Sequence, residues 1–279
     1  MRDFRGRPLI AWAIEAAIKS AQFSSVIVST DNEEIAAVAE ECGATVPFKR
    51  PPELSGDHAS TDSVILHVIR ELYPSGNFPE FTCCIYPTAP LLTGDVIAKI
   101  KEELKSKPGA QSAFTAATYA HTVWRAIKKT SDGWARYEWP NFQDARSQDL
   151  PNVVHDAGQC YWVKTDHYVK SGKLINDKSL PVIQPRWLVQ DIDTDEDWKM
   201  AEFLFDYSKY LKSKMNDKNS EYYLKVIDQI ETVRSKNNVN WMDVLRLAFR
   251  HAPEEAKQIM KKINHEDHEI SELLKKLEE

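Results

Sequence analysis

The sequence predicts an α/β domain built on a mostly parallel sheet with helices on both faces, followed by an all-helical C-terminal appendix. Three observations predict it. β-Branched or apolar runs alternate with capped amphipathic stretches from residue 9 to about residue 118, the pattern of βα units. The alternation then gives way to an aromatic-rich hairpin. Beyond a polar stretch near residues 212–220 only helical periodicity remains.

Each element has a local cause. In "MRDFRGRPLIAWAIEAAIKSA", Pro8 suits a helix start and the apolar spacing after it is helical. "SSVIVST" is a β-branched strand. "DNEEIAAVAEEC" is a helix with Asp31 as its N-cap, acidic residues in its first turn and Gly43 as its stop. "ATVPFK" is a short strand, "STDSVILHVIRELY" a capped helix, and "FTCCIYPTAP" a buried strand that runs into a proline-bounded loop. "TGDVIAKIKEELKS" and "SAFTAAT" repeat the helix–strand unit. "TVWRAIKKTSDGWARYEW" is a hairpin turning at Ser131-Asp132-Gly133. Its Trp124, Trp134 and Trp139 exceed what a lone ribbon can bury, so the hairpin is expected in a homodimer contact. "GQCYWVKT" and "PRWLVQDID" are strands, and "TDEDWKMAEFLFDYSKYLK" is a helix capped by Thr194. The expected division is a domain over 1–213 and a small helical domain over 214–279. Residues 221–279 are expected to serve an interaction with a protein partner.

Composition narrows the function classes. With 42% hydrophobic and 28% charged residues the 279-residue chain has ample core, and its net charge of −6 argues against a broad nucleic-acid surface. No run reaches membrane-spanning length. Cys42, Cys83, Cys84 and Cys160 lack metal-ligand spacing, and they are expected as reduced core thiols of a cytoplasmic protein.

Four stretches can carry chemistry. In "QDIDTDEDW", Asp191 and Asp193 are two apart at an expected strand end, roughly 7 Å apart along the backbone on one face. Two such carboxylates suit Mg²⁺, which takes one or two carboxylates plus substrate phosphates. The rest of the run, from Thr194 to Asp197, reads as a helix cap. In "FKRPPELSGDHASTDSV", Arg50 faces a helix N-terminus at Thr61, a cradle for phosphate or a base edge; an ordinary surface loop is the alternative. "IYPTAPLL" places Tyr86 and Thr88 at the mouth of a strand, where open α/β sheets bind ligands; a packed Tyr in a Pro-fixed turn is the equal alternative. In "NFQDARSQDLPNVVHDAGQCYW", Arg146 and Gln148 offer donors to a carboxylate or phosphate, and Gly158 permits close backbone approach. His155-Asp156 lacks a Ser or Cys nucleophile pattern, so Asp156 reads as a ligand-shell residue. "HEDHE" at 265–269 reads as a solvated helix face.

Taken in order, "FRGRPLI", "VIVSTDNEEIA", "RPPELSGD", "YPTAPLL", "RSQDLP", "DAGQCYW" and "DIDTDEDW" resemble the nonulosonate cytidylyltransferases, the CMP-sialic acid synthetases and their pseudaminic acid relatives. Tyr-Pro-Thr-Ala-Pro, where sialic acid enzymes typically carry Gln-Pro-Thr-Ser-Pro, is closer to the pseudaminic branch. The resemblance implies a Rossmann-like fold of the nucleotide-diphospho-sugar transferase type and Mg²⁺-dependent CMP transfer from CTP to an acidic nine-carbon sugar. The product would feed cell-surface or flagellar glycan synthesis. It implies Arg50, Ala59 and Thr61 at the cytosine, with Tyr86, Thr88, Arg146, Gln148, Asp156 and Tyr161 shaping the sugar side. Asp191 and Asp193 would hold the metal, and the enzyme would be a dimer. Ser147 departs from the second Arg of many sialic acid enzymes. Family members also begin with a strand and a Gly-rich loop ahead of "RDFRGRPLI". A truncated gene model is therefore expected, with weak CTP binding by the chain as it stands. A rival enzyme acting on 3-deoxy-octulosonate would need a different middle section. The alternative from another class is a degenerate, non-catalytic transferase domain acting as a binding or assembly module through its helical tail.

Overall fold

The structure, a computed structural model, describes residues 2–56, 58–215, 246 and 248–257. Two compact units divide the chain, Met1–Phe205 and Asp206–Glu279. In the second unit, His251 stacks on Tyr210 at 4.9 Å between ring centroids, and Phe249 and Ala256 are buried. Most of the expected helical appendix over 214–279, "HEDHE" included, lies outside the described residues.

The first unit opens with a two-residue hairpin, β1 (Asp3–Phe4) on β2 (Arg7–Pro8). Arg5 and Gly6, at φ 49° and 80°, make the turn that a two-residue hairpin requires. Helix α1 (Leu9–Lys19) follows directly, with Pro8 as its N-cap and Ala11, Ala13, Ile14, Ala16 and Ala17 buried. Helix α2 (Glu33–Glu41) is capped by Asn32, whose side chain accepts from the Ile35 N–H. Asp31 is therefore not the cap. One position upstream, its carboxylate lies 3.6 Å from Arg50 instead. Gly43, at φ 91°, ends the helix as expected.

The flanking segments "SSVIVST" and "ATVPFK" do not form full strands. They meet at two isolated parallel bridges, Ile27 with Thr45 and Thr30 with Lys49. A ladder satisfied along one edge only is weakly held.

Helix α3 (Thr61–Leu72) is capped by Ser60, and β3 (Phe81–Ile85) leads through a proline-bounded loop to α4 (Gly94–Ser106), capped by Thr93. Strand β4 (Ser112–Thr118) is almost wholly buried. The hairpin forms from β5 (Ile127–Lys129) and β6 (Ala135–Tyr137). Strand β7 (Val154–Lys164), helix α5 (Thr165–Ser171), strand β8 (Ser179–Ile183) and helix α6 (Asp195–Met215) complete the order.

The main sheet runs β3-β7-β4-β8. Strands β3 and β4 are both antiparallel to β7, and β8 is parallel to β4. Three strands thus share one direction and β7 alone opposes them, giving a mixed sheet. On one face, α1 and α4 cover it with Ala16, Ile97, Ile100 and Leu104 against Ala113 and Trp162. On the other face, Ile69 of α3 and Tyr168 of α5 meet Phe114, Tyr161 and Val163. Cys83 packs on the first face and Cys84 on the second, as strand alternation requires. All four cysteines are free thiols.

"PRWLVQDID" is not a strand. The strand lies earlier, at β8, and Pro185 closes it. A 3-10 turn over Arg186–Leu188 then diverts the chain into an irregular segment. Pro185 has no N–H for a ladder, which ends the pairing there.

Gly94 opens α4 where that helix meets the end of α1. A Cβ at this position would stand 2.7 Å from the Ser20 backbone nitrogen and 3.0 Å from the Lys19 carbonyl carbon. Backbone cannot yield as a flexible side chain does. Gly94→Ala is therefore expected to cost about 1–3 kcal/mol in urea unfolding at unchanged m. Gly56→Ala, facing open space, should stay within about 0.5 kcal/mol.

Candidate functional site

The site gathers at the end of β3 that leads into Tyr86-Pro87-Thr88. A cavity of about 930 Å³ opens there, and Arg50, Ala59, Thr61, Tyr86 and Thr88 all line it. A smaller cleft of about 390 Å³ adjoins it, sharing Arg2, Leu9 and Thr88 and adding Asp193 and Asp195.

Local structure explains each placement. Thr61 is the first residue of α3, and its hydroxyl lies 3.0 Å from the Tyr86 hydroxyl. Burial raises the Tyr86 phenol above its ordinary pKa. The rings of Tyr86 and Tyr161 are 5.4 Å apart. Tyr161 donates to the Asp156 carboxylate, at 2.8 Å from each oxygen. Burial first, and then the Asp156 charge, push the Tyr161 phenol far upward, so it is a fixed donor. Arg50 leaves the end of the 45–49 segment, where its N–H donates to the Thr30 carbonyl at 2.8 Å. Its Nη2 lies 3.6 Å from Asp31, while its Nε is buried without a hydrogen-bond partner. A guanidinium with a desolvated, unpaired N–H is poised to take an acceptor.

Asp156 reaches the acidic segment through a wide bulge in β7. Phe114 pairs with Tyr161, yet Ala116 already pairs with Asp156, so β7 carries extra residues opposite Thr115. The Thr115 hydroxyl accepts the Cys160 N–H at 3.1 Å and stands in for the lost ladder partner. Gly158, at φ 63°, turns the bulge, and its N–H donates to Asp156 at 3.0 Å. A Cβ on Gly158 would lie 3.7 Å from the Asp191 carboxyl. Buried Gln159 donates from Nε2 to the Leu188 carbonyl at 2.8 Å, pinning the turn that leads to Asp191. Gln190 then bridges the Asp191 carbonyl and Asp197, and Thr194 with Asp197 forms a reciprocal cap on α6.

Asp191 and Asp193 thus sit in an irregular segment pinned from β7, not at a strand end. Partial burial, and then the charge of Asp193, hold the Asp191 carboxyl above its usual range. Like charge of this kind, offset only in part by the Ile192 N–H at 3.1 Å, suits a hard divalent cation that keeps water or phosphate oxygens as its remaining ligands. Among the described residues no cluster of three or more His, Cys, Asp or Glu forms a closed protein cage.

Other expected residues are not brought into this cluster. Arg146 is exposed and pairs with Asp149 at 2.7 Å, and Gln148 is exposed on the same turn. No contact joins either to Tyr161 or Asp156 among the described residues. The His155 Nδ1 lies 2.8 Å from the backbone oxygen of Asp156, not from its carboxylate. That geometry supports no His-carboxylate pair. Arg2, Gly158, Gln159 and Gln190 escaped assignment from sequence in these roles. Gly158 alone carried a signal, as a glycine inside a strand pattern.

The family model described as "Cytidylyltransferase" matches residues 1–130. Pseudaminic acid cytidylyltransferase of Campylobacter jejuni is 34% identical over 203 residues, covering 73% of this chain and 87% of that protein. N-acylneuraminate cytidylyltransferase A of Danio rerio is 36% identical over 201 residues, covering 71% of this chain and 44% of that one. Among solved structures, CMP:2-keto-3-deoxy-manno-octonic acid synthetase complexed with CTP aligns with a TM-score of 0.52 at 13% identity, covering 74% of this chain and 91% of that one. A 4-diphosphocytidyl-2C-methyl-D-erythritol synthase aligns with a TM-score of 0.53 at 12% identity, covering 74% and 94%. These two likenesses concern the fold alone. On the sequence relationships, this chain belongs to the cytidylyltransferase family that contains the pseudaminic acid and N-acylneuraminate enzymes.

Proposed function

We propose that the protein transfers CMP from CTP to the anomeric hydroxyl of a nonulosonic acid of the pseudaminic type, releasing pyrophosphate. The observation that carries this reading is a contiguous row of side chains at one cavity mouth: Thr61 hydrogen-bonds Tyr86, the Tyr86 ring lies against that of Tyr161, Tyr161 donates to Asp156, and Gly158 beside it lies against Asp191. Thr61, Ala59 and the unpaired Nε of Arg50 meet the cytosine. Tyr86, Thr88 and the Asp156–Tyr161 pair bound the sugar side, with Asp156 held by two donors, the Tyr161 O–H shared between its oxygens and the Gly158 N–H. Alignment of the sugar hydroxyl for in-line attack on the α-phosphorus is the main task of these fixed groups. Arg146 and Gln148 reach the sugar only if their turn moves. Asp191 and Asp193 hold Mg²⁺, which when bound offsets negative charge on the phosphates.

The experiment incubates excess protein with CTP, Mg²⁺ and pseudaminic or N-acylneuraminic acid, following the CMP-sugar by mass. Asp191→Asn and Asp193→Asn are each expected to reduce product formation at least about a hundredfold. Their unfolding midpoints should stay within about 1 kcal/mol of the parent, since the change removes charge and little volume. Nucleotide binding without any turnover, with or without Mg²⁺, would favour the non-catalytic module. Arg50→Ala should weaken CTP binding by about ten- to a hundredfold, the equivalent of one charge-assisted hydrogen bond.

The hairpin is the proposed homodimer contact. Trp124 is taken up by Trp139 and Phe142, at 5.7 and 4.9 Å, and its Nε1 donates to the Pro151 carbonyl. Trp134 is left 70% exposed and Ile127 58%. Trp134→Glu is expected to shift the sedimentation mass at micromolar concentration from dimer to monomer. A dimer that survives the substitution would place the contact elsewhere.

A further inference from the structure

An aspartate in the first turn of a helix ordinarily faces water, where its charge favours the positive end of the helix dipole. Asp62, the second residue of α3, does otherwise. It is half-buried, and its carboxylate is tied to a part of the chain more than a hundred residues away.

The tie begins at Tyr168 of α5, which is 1% exposed. Its hydroxyl lies 3.1 Å from the Asp62 Oδ1 and 3.1 Å from the Asp62 backbone oxygen, so one proton serves both acceptors. Burial first, and then the Asp62 charge, push the phenol far upward, so Tyr168 is a permanent donor. Helix α5 ends at Gly172, whose φ of 63° reverses the chain. That reversal brings the Leu174 N–H to the same Asp62 Oδ1, at 3.2 Å. Beneath the tie, Tyr168 and Leu174 share a core with Ile65, Leu66 and Ile69 of α3. A buried hydroxyl separated from its acceptor is costly. A shift of α3 along its axis would separate Tyr168 from both of these acceptors at once.

The start of α3 is the part of the helix that meets the cavity. Ser60 caps it by accepting the Ser63 N–H at 3.2 Å, and the Thr61 hydroxyl lies 3.0 Å from that of Tyr86. Ala59 and Thr61 line the cavity, whereas Asp62, Tyr168 and Leu174 stand behind it. Among the described residues, hydrogen bonds join the stretch 51–63 to distant parts of the chain at two points. One is Thr61 with Tyr86, inside the cavity, and the other is Asp62 with Tyr168 and Leu174. The second point can therefore fix the stretch whether or not a ligand engages the first.

We propose that Tyr168, acting through Asp62, is a positioning residue for nucleotide binding: it sets the start of α3, and with it Ala59 and Thr61, against the base of CTP. This rests on the cytosine assignment of Ala59 and Thr61 made above. Tyr168 lies outside the cavity and acts on the ligand only through α3. Misplacement by about 1 Å, imposed from a distance, is enough to weaken fixed contacts strongly. The effect is confined to the base, since the phosphates are assigned to Mg²⁺ at Asp191 and Asp193, at the other end of the row of site residues.

The test measures binding by the full chain, in Mg²⁺, of CTP and of inorganic tripolyphosphate, a probe with phosphates and no base. Tyr168→Phe is expected to weaken CTP at least about tenfold and to leave tripolyphosphate within about twofold. In the same variant, hydrogen exchange should quicken at the amides of Ser63, Val64 and Leu174 and stay unchanged at Trp162 and Val163 of β7. Asp62→Asn keeps an acceptor oxygen for both donors and should retain CTP binding within about threefold, whereas Asp62→Leu should match Tyr168→Phe. Unchanged CTP binding by Tyr168→Phe overturns the proposal. So does an equal loss of CTP and tripolyphosphate, which marks a general loosening, and so does a loss of CTP without faster exchange at the start of α3. Thr61→Val reads the cytosine assignment separately. If it weakens CTP and Tyr168→Phe does not, the positioning role alone fails. If Thr61→Val leaves CTP binding intact, or the parent chain binds no CTP, the assignment fails and this inference falls with it.

Discussion

Two-sided backbone pairing of the 11-residue strand Val154–Lys164 is the constraint on which the rest of the first unit depends. It bonds β3 along one edge and β4 along the other, and its side chains divide between the two cores. Trp162 enters the α1–α4 side, where Phe23 stacks on it at 4.9 Å and Lys101 lies 4.8 Å above its ring. Tyr161 and Val163 enter the α3–α5 side. Without this strand, β3 would lose its ladder and the parallel pair β4–β8 would stand apart from it. The strand also carries the bulge, so the element that holds the sheet together is the same one that shapes the site.

Charge at the mouth follows from that geometry. The bulge brings Asp156 toward Asp191, and the 3-10 turn pinned by Gln159 delivers Asp191 and Asp193 together. Neutral donors absorb Asp156: the Tyr161 hydroxyl and the Gly158 N–H. Asp197 is absorbed by the α6 cap, which pulls its pKa down. Asp195 pairs with Arg2 at 3.0 Å. Asp191 accepts only the Ile192 N–H, at 3.1 Å, and burial and the nearby charge of Asp193 still hold its carboxyl above the usual range. Local structure thereby distinguishes two carboxylates within a long acidic run, a distinction that composition cannot make.

Sequence revealed the elements better than their pairing. Apolar spacing and caps placed α1, α3, α4 and α6, because those signals are local and strong, as with Ser60, Thr93 and Thr194. The cap of α2 was displaced by one residue, since Asp31 and Asn32 are both competent and the choice rests on where Arg50 comes to lie. "PRWLVQDID" was misread as a strand because its apolar residues resemble one, while the true strand "SLPVI" is short and carries a proline. The antiparallel insertion of β7 is a tertiary fact with no local signature. Of the residues expected at a site, Thr61, Tyr86, Asp156 and Asp191 are the ones that the structure brings together. Arg146 and Gln148 lie on an exposed turn whose approach to ligand no intramolecular contact enforces.

The bulge shows how a backbone irregularity becomes a functional constraint. Gly158 is turned at φ 63°, where an L side chain is strained, yet an added Cβ would meet the Asp191 carboxyl only at ordinary contact distance. The need for glycine is thus conformational, not spatial. The left-handed turn directs the Gly158 N–H at Asp156 and lets the chain resume its ladder with β3 at Cys160. In register without the bulge, Tyr161 and Asp156 would lie too far apart along a strand for the phenol to reach the carboxylate, since five residues span about 17 Å. Extra residues opposite Thr115 compress that span to a hydrogen bond of 2.8 Å. Sheet continuity and site geometry are therefore set by one local departure from strand regularity, sustained by the Thr115 hydroxyl that replaces the ladder bond it breaks.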